Sequence, residues 1–231
     1  MRIGATVRRA TGPSTPAVHR LLAHVAARGL PAVPEVLGED ARGREALTYL
    51  PGTIVDVDDD LLSDAQLVGA ARWALELHEA VADLDDPGPW RFFEVEGATV
   101  LGHNDLAPYN LCFEGDRLAG VFDWDLAGPT TPLLELAQLA WTSVPLFRPV
   151  PAAEAARRLR LLAGAYGGVD PSEVLRAVPL LKRIGCDGIR QWIAAGDPAG
   201  LSQLAVGEPE RTEHAVALLR DRMPEIEREL S

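Results

Sequence analysis

Apolar residues recur every three or four positions in several stretches of the chain, and this period predicts amphipathic helices. The predicted helices cover residues 15–29, 63–84, 133–144, 152–166 and 210–230. Ser63 and Gln66 form a capping box at the start of the second helix, and Asp170-Pro171 is a typical start of a further one. The chain after Thr131 is therefore predicted to be almost entirely helical.

Shorter β-like segments lie among these helices. They cover residues 3–9, 35–38, 45–50, 109–113 and 118–122. Short turns rich in glycine and charged residues, at 41–43 and 114–117, join the last four segments into two hairpins. The pattern predicts a mixed α+β chain whose strands lie in its first half.

Composition narrows the class of protein. The 231 residues carry a formal net charge of −12, and an acidic surface repels phosphate backbones, so we expect no nucleic-acid partner. No uncharged apolar run reaches the roughly 18 residues of a membrane span, and no apolar stretch follows the charged N-terminus. We therefore expect a cytoplasmic protein without a membrane segment. Lys182 is the only lysine, so a phosphate-binding cation near the N-terminus must be an arginine.

Candidate chemistry is concentrated between residues 103 and 125. The sequence H-N-D-L-A-P-Y-N places Asp105 and Asn110 five residues apart on a loop that leads into a β-like segment. The sequence V-F-D-W-D places Asp123 and Asp125 at the end of the next segment. Acids and an amide at the ends of two paired strands are candidates for a shared site.

The predicted hairpin gives these residues a geometry. If its turn pairs Phe113 with Leu118, then Asn110 pairs with Val121 and Asp123 is its diagonal neighbour on the same face. Cα atoms in such a diagonal pair lie roughly 7–8 Å apart. An amide oxygen and a carboxylate at that separation can both bind one hard cation, and oxygen ligands without a cysteine or histidine cluster favour Mg²⁺ over zinc. The spacing predicts a sparse magnesium site of the kind that holds a nucleotide's phosphates.

The two segments together, H-N-D-L-A-P-Y-N and V-F-D-W-D-L-A-G-P, resemble the catalytic and metal segments of the aminoglycoside phosphotransferase family, which shares the protein-kinase-like fold with the choline kinases. The resemblance implies a two-lobed α+β protein, with a truncated N-lobe and hinge in residues 1–52 and a mainly helical C-lobe in residues 53–231. It also implies a kinase that uses ATP and Mg²⁺ to phosphorylate a hydroxyl of a small molecule. An aminoglycoside-like or amino-alcohol acceptor, and hence a cationic one, is consistent with the resemblance.

The resemblance assigns roles in the C-lobe residue by residue. Asp105 is the catalytic base that accepts the proton of the acceptor hydroxyl or orients it. Asn110 and Asp123 are the metal ligands. His103 and Asp125 are expected to support them, His103 as a packing residue that fixes the loop.

The resemblance also assigns the nucleotide site. The V-R-R segment resembles the N-lobe strand that carries the phosphate-binding cation, which makes Arg8 the predicted phosphate contact. The segment before Pro51-Gly52 resembles the hinge that holds adenine by backbone groups, and it supplies Leu47, Tyr49 and Leu50.

The N-lobe departs from the family pattern. A family N-lobe begins with two strands and a glycine-rich turn over the phosphates, but only seven residues precede the Arg8-Arg9 pair. The first helix offers Val18 or His19 where a glutamate would pair with the cation. Either the lobe is reduced or its start lies upstream. A kinase-like pseudoenzyme that serves as a nucleotide-binding or regulatory module is therefore an alternative, and a metal-dependent hydrolase is a third, against which the spacing of Asn110 argues.

Overall fold

A computed structural model describes residues 1–56 and 60–231 of the chain. The N-terminal part is a four-stranded antiparallel sheet of order β1-β2-β4-β3 with one helix beside it. Its elements are β1 (Arg2–Ile3), β2 (Thr6–Ala10), α1 (Thr15–Ala27), β3 (Val36–Glu39) and β4 (Arg44–Thr48). The single β-like segment predicted for residues 3–9 is in fact a hairpin, because the chain turns at Gly4, whose φ of 59° suits a glycine.

Helix α2 (Asp64–Ala80) follows the sheet and begins as the sequence predicts. The backbone N–H of Gln66 donates to Ser63 Oγ at 3.1 Å, and the backbone N–H of Ser63 donates to Gln66 Oε1 at 2.9 Å. These two hydrogen bonds are the predicted capping box, which is confirmed. One face of the helix, including Leu67 and Leu77, is fully buried in the core.

The remainder of the chain combines two antiparallel ribbons with five helices. Its elements are β5 (Val100–Gly102), β6 (Leu111–Glu114), β7 (Arg117–Val121), β8 (Gly128–Thr130), α3 (Pro132–Ser143), α4 (Ala152–Tyr166), α5 (Pro171–Ala194), α6 (Pro198–Ala205) and α7 (Glu210–Leu230). Strand β5 pairs with β8, and β6 pairs with β7. The hydropathy pattern did not indicate β5, β8 or α6. No helix in the described ranges is long and apolar enough to cross a bilayer.

The two ribbons position the residues that the sequence singled out. Residues 103–110 connect β5 to β6, and residues 122–127 connect β7 to β8. Because β5 pairs with β8 and β6 pairs with β7, these two connections start and end on neighbouring strands. They therefore lie side by side, between helix α3, which contacts the first connection, and the N-terminal sheet, which contacts the second.

Candidate active site

Asn104 joins the connection between β5 and β6 to the connection between β7 and β8. We call the first of these connections, residues 103–110, the catalytic loop. Asn104 has a left-handed backbone with φ of 61°, a conformation that asparagine tolerates better than most residues. Its side-chain amide donates to the carbonyl oxygens of Leu126 and Gly128, both at 3.1 Å. The loop is thereby fixed to the segment that leads into β8.

Three side chains hold the carboxylate of Asp105. Asn110 Nδ2 donates to Oδ2 at 2.9 Å, while the Tyr109 hydroxyl and Gln138 Nε2 donate to Oδ1 at 2.9 and 2.8 Å. Donors on both oxygens fix the orientation of the carboxylate. Burial and the charge of Asp105 raise the pKa of Tyr109, so its hydroxyl stays protonated and able to donate.

His103, the first residue of the catalytic loop, is completely buried. Its Nδ1 accepts from the backbone N–H of Asp105 at 3.3 Å, and its Nε2 lies 3.1 Å from the carbonyl oxygen of Phe122. This pairing is satisfied by a neutral ring with its proton on Nε2. Burial lowers the pKa of His103, which favours the same neutral form. The ring therefore connects the two loops at the position where a packing residue was predicted.

Glu135 of α3 contacts the backbone of the catalytic loop. The sequence analysis did not identify this residue. Its Oε2 accepts from the backbone N–H of Asn104 at 3.1 Å, and it is fully buried. Burial raises its pKa to about 7. A Cβ at residue 102 would lie 2.1 Å from Oε2, so only glycine fits there. The signal was present in the sequence, because Glu135 and Gln138 are polar residues three apart in a helix that is otherwise strongly apolar.

The hairpin between β6 and β7 differs from the predicted register by one residue. Phe113 pairs with Leu118 as predicted, but Leu111, and not Asn110, pairs with Val121. A bulge causes the shift. Cys112 pairs with Gly120 and Phe113 pairs with Leu118, so β7 has one extra residue between these two pairs. The backbone carbonyl oxygen of Asn110 instead accepts a hydrogen bond from the backbone N–H of Phe122, the residue after Val121, at 3.0 Å. The predicted diagonal pairing of Asn110 with Asp123 is thus wrong in register, although the two residues remain on adjoining strand ends.

Asp123 and Asp125 are half-exposed and share one guanidinium. Asp123 has a left-handed backbone with φ of 64°. Arg9 Nη2 of β2 lies 2.9 Å from Asp123 Oδ1 and 2.5 Å from Asp125 Oδ2. Arg9 Nε also lies 3.6 Å from Glu45 Oε1, and the buried Glu45 carboxylate contacts His19 Nε2 at 2.8 Å. One arginine of the N-terminal sheet therefore reaches both acids at the end of β7.

Arg8, the predicted phosphate contact, lies on the other face of β2. Its Nε is 3.7 Å from Asp40 Oδ2, close to the turn between β3 and β4. Successive side chains of a strand point to opposite faces, so Arg8 and Arg9 cannot face the same cleft. The structure places Arg9, and not Arg8, beside the acids.

A cavity of about 320 Å³ lies between the N-terminal sheet and the β6–β7 ribbon. The three predicted hinge residues Leu47, Tyr49 and Leu50 all line it, and so do Arg9 and Asp123. The lining is mostly apolar, with the arginine and the acid as its charged groups. Such a cavity can accept a flat apolar ring and present charges to phosphates.

The oxygen atoms of the site suit a hard cation whose remaining ligands are water and substrate phosphates. Within residues 1–56 and 60–231, no three acidic, histidine or cysteine side chains converge as a complete metal cage. The available donors are the amide oxygen of Asn110 and the carboxylates of Asp123 and Asp125. Mg²⁺ commonly binds to one or two carboxylates and completes its shell with water and substrate phosphates. The residues therefore fit magnesium that arrives with a nucleotide.

Comparison with known proteins gives relatives of both sequence and fold. The trifolitoxin immunity protein of Rhizobium leguminosarum bv. trifolii is 33% identical over 154 residues, which is 63% of this chain and 58% of that protein's length. A choline/ethanolamine kinase family protein from Mesorhizobium loti superposes with a TM-score of 0.59 and 22% identity, over 99% of this chain and 86% of the other. A macrolide 2'-phosphotransferase from Brachybacterium faecium superposes with a TM-score of 0.51 and 22% identity, over 88% and 78%. These structures confirm the predicted two-lobed kinase-like fold.

The phosphotransferase enzyme family matches residues 5–96 and 82–171 of the chain. The two matches overlap and together span well over half of it, from β2 through the catalytic loop to the end of α4. They include both loops described above. The chain therefore belongs to the phosphotransferase enzyme family.

Proposed function

We propose that this chain is a kinase that transfers the γ-phosphoryl group of ATP to a hydroxyl of a small molecule in the presence of Mg²⁺. The observation that carries the proposal is the cavity that brings the predicted hinge together with Arg9 and Asp123. In this proposal residues 1–52 and the ends of β6 and β7 bind the nucleotide, and the C-terminal part of the chain binds the acceptor.

The nucleotide site follows from the lining of the cavity. Leu47, Tyr49 and Leu50 contact the adenine, and Arg9 binds a phosphate in place of the predicted Arg8. Asn110 and Asp123 hold Mg²⁺, with Asp125 beside them. The metal, when bound, neutralises charge on the phosphates and on the group in transfer.

Asp105 acts on the acceptor. The acceptor oxygen forms a bond to the γ-phosphorus, the bond from that phosphorus to the bridging oxygen of ADP breaks, and the hydroxyl proton passes to Asp105. Oδ2 of Asp105 accepts only the Asn110 amide among the described hydrogen bonds, so it retains capacity for the acceptor hydroxyl. Phosphoryl transfer depends mainly on positioning, and the three donors to Asp105 supply that.

The acceptor is the open part of the proposal, and the relatives define a panel to test. Amino alcohols and a macrolide represent the compounds named by the two structural relatives, and aminoglycosides represent the acceptors that the sequence resemblance implies. Trifolitoxin, named by the sequence relative, extends the panel to a toxin. Acceptor-dependent ADP formation identifies the compound that this chain phosphorylates.

The decisive variant is Asp105→Asn, which preserves shape but cannot take up a proton. We expect turnover to fall by roughly 10²–10⁴-fold, the usual span for positioned acid–base catalysis, with ATP affinity nearly unchanged. Asp85→Asn, at an exposed acid, is the matched control and should retain full turnover. If ATP and Mg²⁺ bind but no acceptor gives turnover, the chain is a nucleotide-binding regulatory module. If Asp105→Asn retains turnover, Asp105 is not the base.

A further inference from the structure

Gln138 of α3 is a partner of Asp105 that no sequence motif indicated. Its side chain is almost fully buried, and its Nε2 donates to Asp105 Oδ1 at 2.8 Å. A side-chain amide has one donating end and one accepting end, and the two differ little in shape. What contacts the other end of the Gln138 amide therefore decides whether Asp105 keeps this donor.

Lys182 of α5 contacts that other end. Its Nζ donates to Gln138 Oε1 at 2.6 Å. An ammonium group has three donors and no acceptor, so it is stable only beside the oxygen end of the amide. The contact therefore turns Nε2 of Gln138 toward Asp105. Ammonium, amide and carboxylate form one chain that runs from α5 through α3 to the catalytic loop.

The surroundings of Lys182 differ from those of a surface lysine. Lys182 is half-buried. Its Nζ lies 4.9 Å from the ring centre of Trp141, a residue of α3 that follows Gln138 by about one helical turn. In the described part of the chain, no carboxylate lies within ion-pair distance of Nζ. Burial lowers the pKa of Lys182 to about 8, although the charges of Asp105, Cys186 and Glu208 act to raise it. The chain's only lysine is thus placed against an amide and an aromatic ring.

We propose that Lys182 is a positioning residue for phosphoryl transfer, which acts through the Gln138 amide to fix the Asp105 carboxylate toward the acceptor hydroxyl. The inference rests on the kinase function proposed above. Lys182 touches neither the nucleotide cavity nor Asp105 itself, so its loss should act on turnover and not on ATP affinity. Because the hydrogen bonds that link Lys182 to Asp105 run through Gln138, losing both residues should cost little more than losing either one.

Steady-state kinetics on the full chain test this directly. Lys182→Met and Gln138→Leu should each lower kcat by roughly ten- to a hundredfold, the scale of a misplaced catalytic group, with the KM for ATP unchanged. The double variant should match the single ones. Lys182→Arg retains a donor and a charge, so it should recover part of kcat. Arg183→Met, at the exposed neighbour on α5, is the control and should behave as the wild type.

A second measurement needs no activity. With lysine labelled at Cε, the chain gives a single side-chain resonance, because Lys182 is its only lysine. Its pH titration should have a midpoint near 8 in the wild type. Gln138→Leu removes the acceptor of the ammonium and should lower the midpoint by about one pH unit, while Arg183→Met should not change it.

The outcomes separate this inference from the proposed function. A shifted midpoint together with a lower kcat in Lys182→Met supports the positioning role. An active wild type whose kcat survives Lys182→Met overturns that role and leaves the kinase function standing. A wild-type midpoint near 10.5, the ordinary pKa of lysine, that stays the same in Gln138→Leu also overturns the positioning role. A wild type that binds ATP but phosphorylates no acceptor refutes the kinase function, and the positioning role with it.

Discussion

Arg9 Nη2 lies 2.9 Å from Asp123 Oδ1, although the two residues are 114 positions apart in the chain. The contact joins the N-terminal sheet to the end of β7 at the edge of the apolar cavity. The same guanidinium reaches Asp125, and the buried carboxylate of Glu45 lies behind it. Burial acts to lower the pKa of Arg9, but the three acids together raise it, so the charge is permanent.

Arg9→Met should therefore weaken ATP binding. A hydrogen bond to a charged group contributes about 1.5–3 kcal/mol, which corresponds to a loss of affinity of roughly 10- to 100-fold. Arg8→Met is the matched control, because Arg8 is the preceding residue and faces Asp40 on the other side of β2. Calorimetry with ATP and Mg²⁺ should show the loss in Arg9→Met alone. Equal losses in both variants would remove the distinction between the two faces.

Asp123→Asn should make nucleotide binding insensitive to magnesium. The change leaves only neutral amide oxygens at residues 110 and 123, and these do not hold Mg²⁺ against water. We expect the affinity for ATP with Mg²⁺ to fall by about tenfold or more, to the value measured with ATP alone. Asp125→Asn retains both proposed ligands and should lose less. A full magnesium effect in Asp123→Asn would exclude this residue as a ligand.

Local signals in the sequence were sufficient for many elements of the fold. The capping box of α2 depends on two residues three apart, and the pairing of Phe113 with Leu118 depends on the turn between them. The H-N-D-L-A-P-Y-N segment pointed to residues 103–110 as a candidate site because its acid and its amide lie within eight consecutive residues. Features of this kind need no knowledge of distant parts of the chain.

Features that depend on distant contacts could not be predicted. Arg8 and Arg9 are chemically alike, and only the packed sheet shows which of them faces the cleft. The bulge in β7 and the close approach of Leu50 to that strand were not visible in the sequence, although a Cβ on Gly120 would lie only 2.6 Å from Leu50 Cβ. Gln138 was not singled out in the sequence, because its partners come from a loop and from another helix.

Gly120→Ala tests the packing at this bulge. The added Cβ would also lie 2.7 Å from Cys112 Sγ, so the hinge and β6 must move apart to admit it. We expect the free energy of unfolding to fall by about 1–3 kcal/mol. Gly164→Ala adds the same methyl group in open space on α4, where it should raise stability by about 0.5–1 kcal/mol. Urea denaturation compares the two, and equal effects would contradict the packing argument.

Glu135→Gln should change how stability depends on pH. The pKa of Glu135 is about 7 in the folded chain against 4.5 for an ordinary glutamate, so the folded state binds the proton more tightly. Its contribution to the free energy of unfolding is complete below pH 4.5 and is lost as the pH rises to about 7. The wild type should lose up to about 3 kcal/mol relative to the variant across this range.

Urea denaturation of both proteins at several pH values measures this difference. The buried His78, whose pKa burial lowers to about 4, has the opposite pH dependence. Because His78 is present in both proteins, its contribution cancels when the two are subtracted. A difference that does not vary between pH 4.5 and 7 would mean that Glu135 titrates as an ordinary glutamate.

Glu135 and Gln138 lie three residues apart on α3, and residues at that spacing share one side of a helix. Glu135 holds the backbone of the catalytic loop, while Gln138 holds the side chain that the loop presents. A small rotation of α3 about its own axis would therefore carry both attachments in the same direction. Because Lys182 of α5 also contacts Gln138, a shift of α5 against α3 would act on the same attachment.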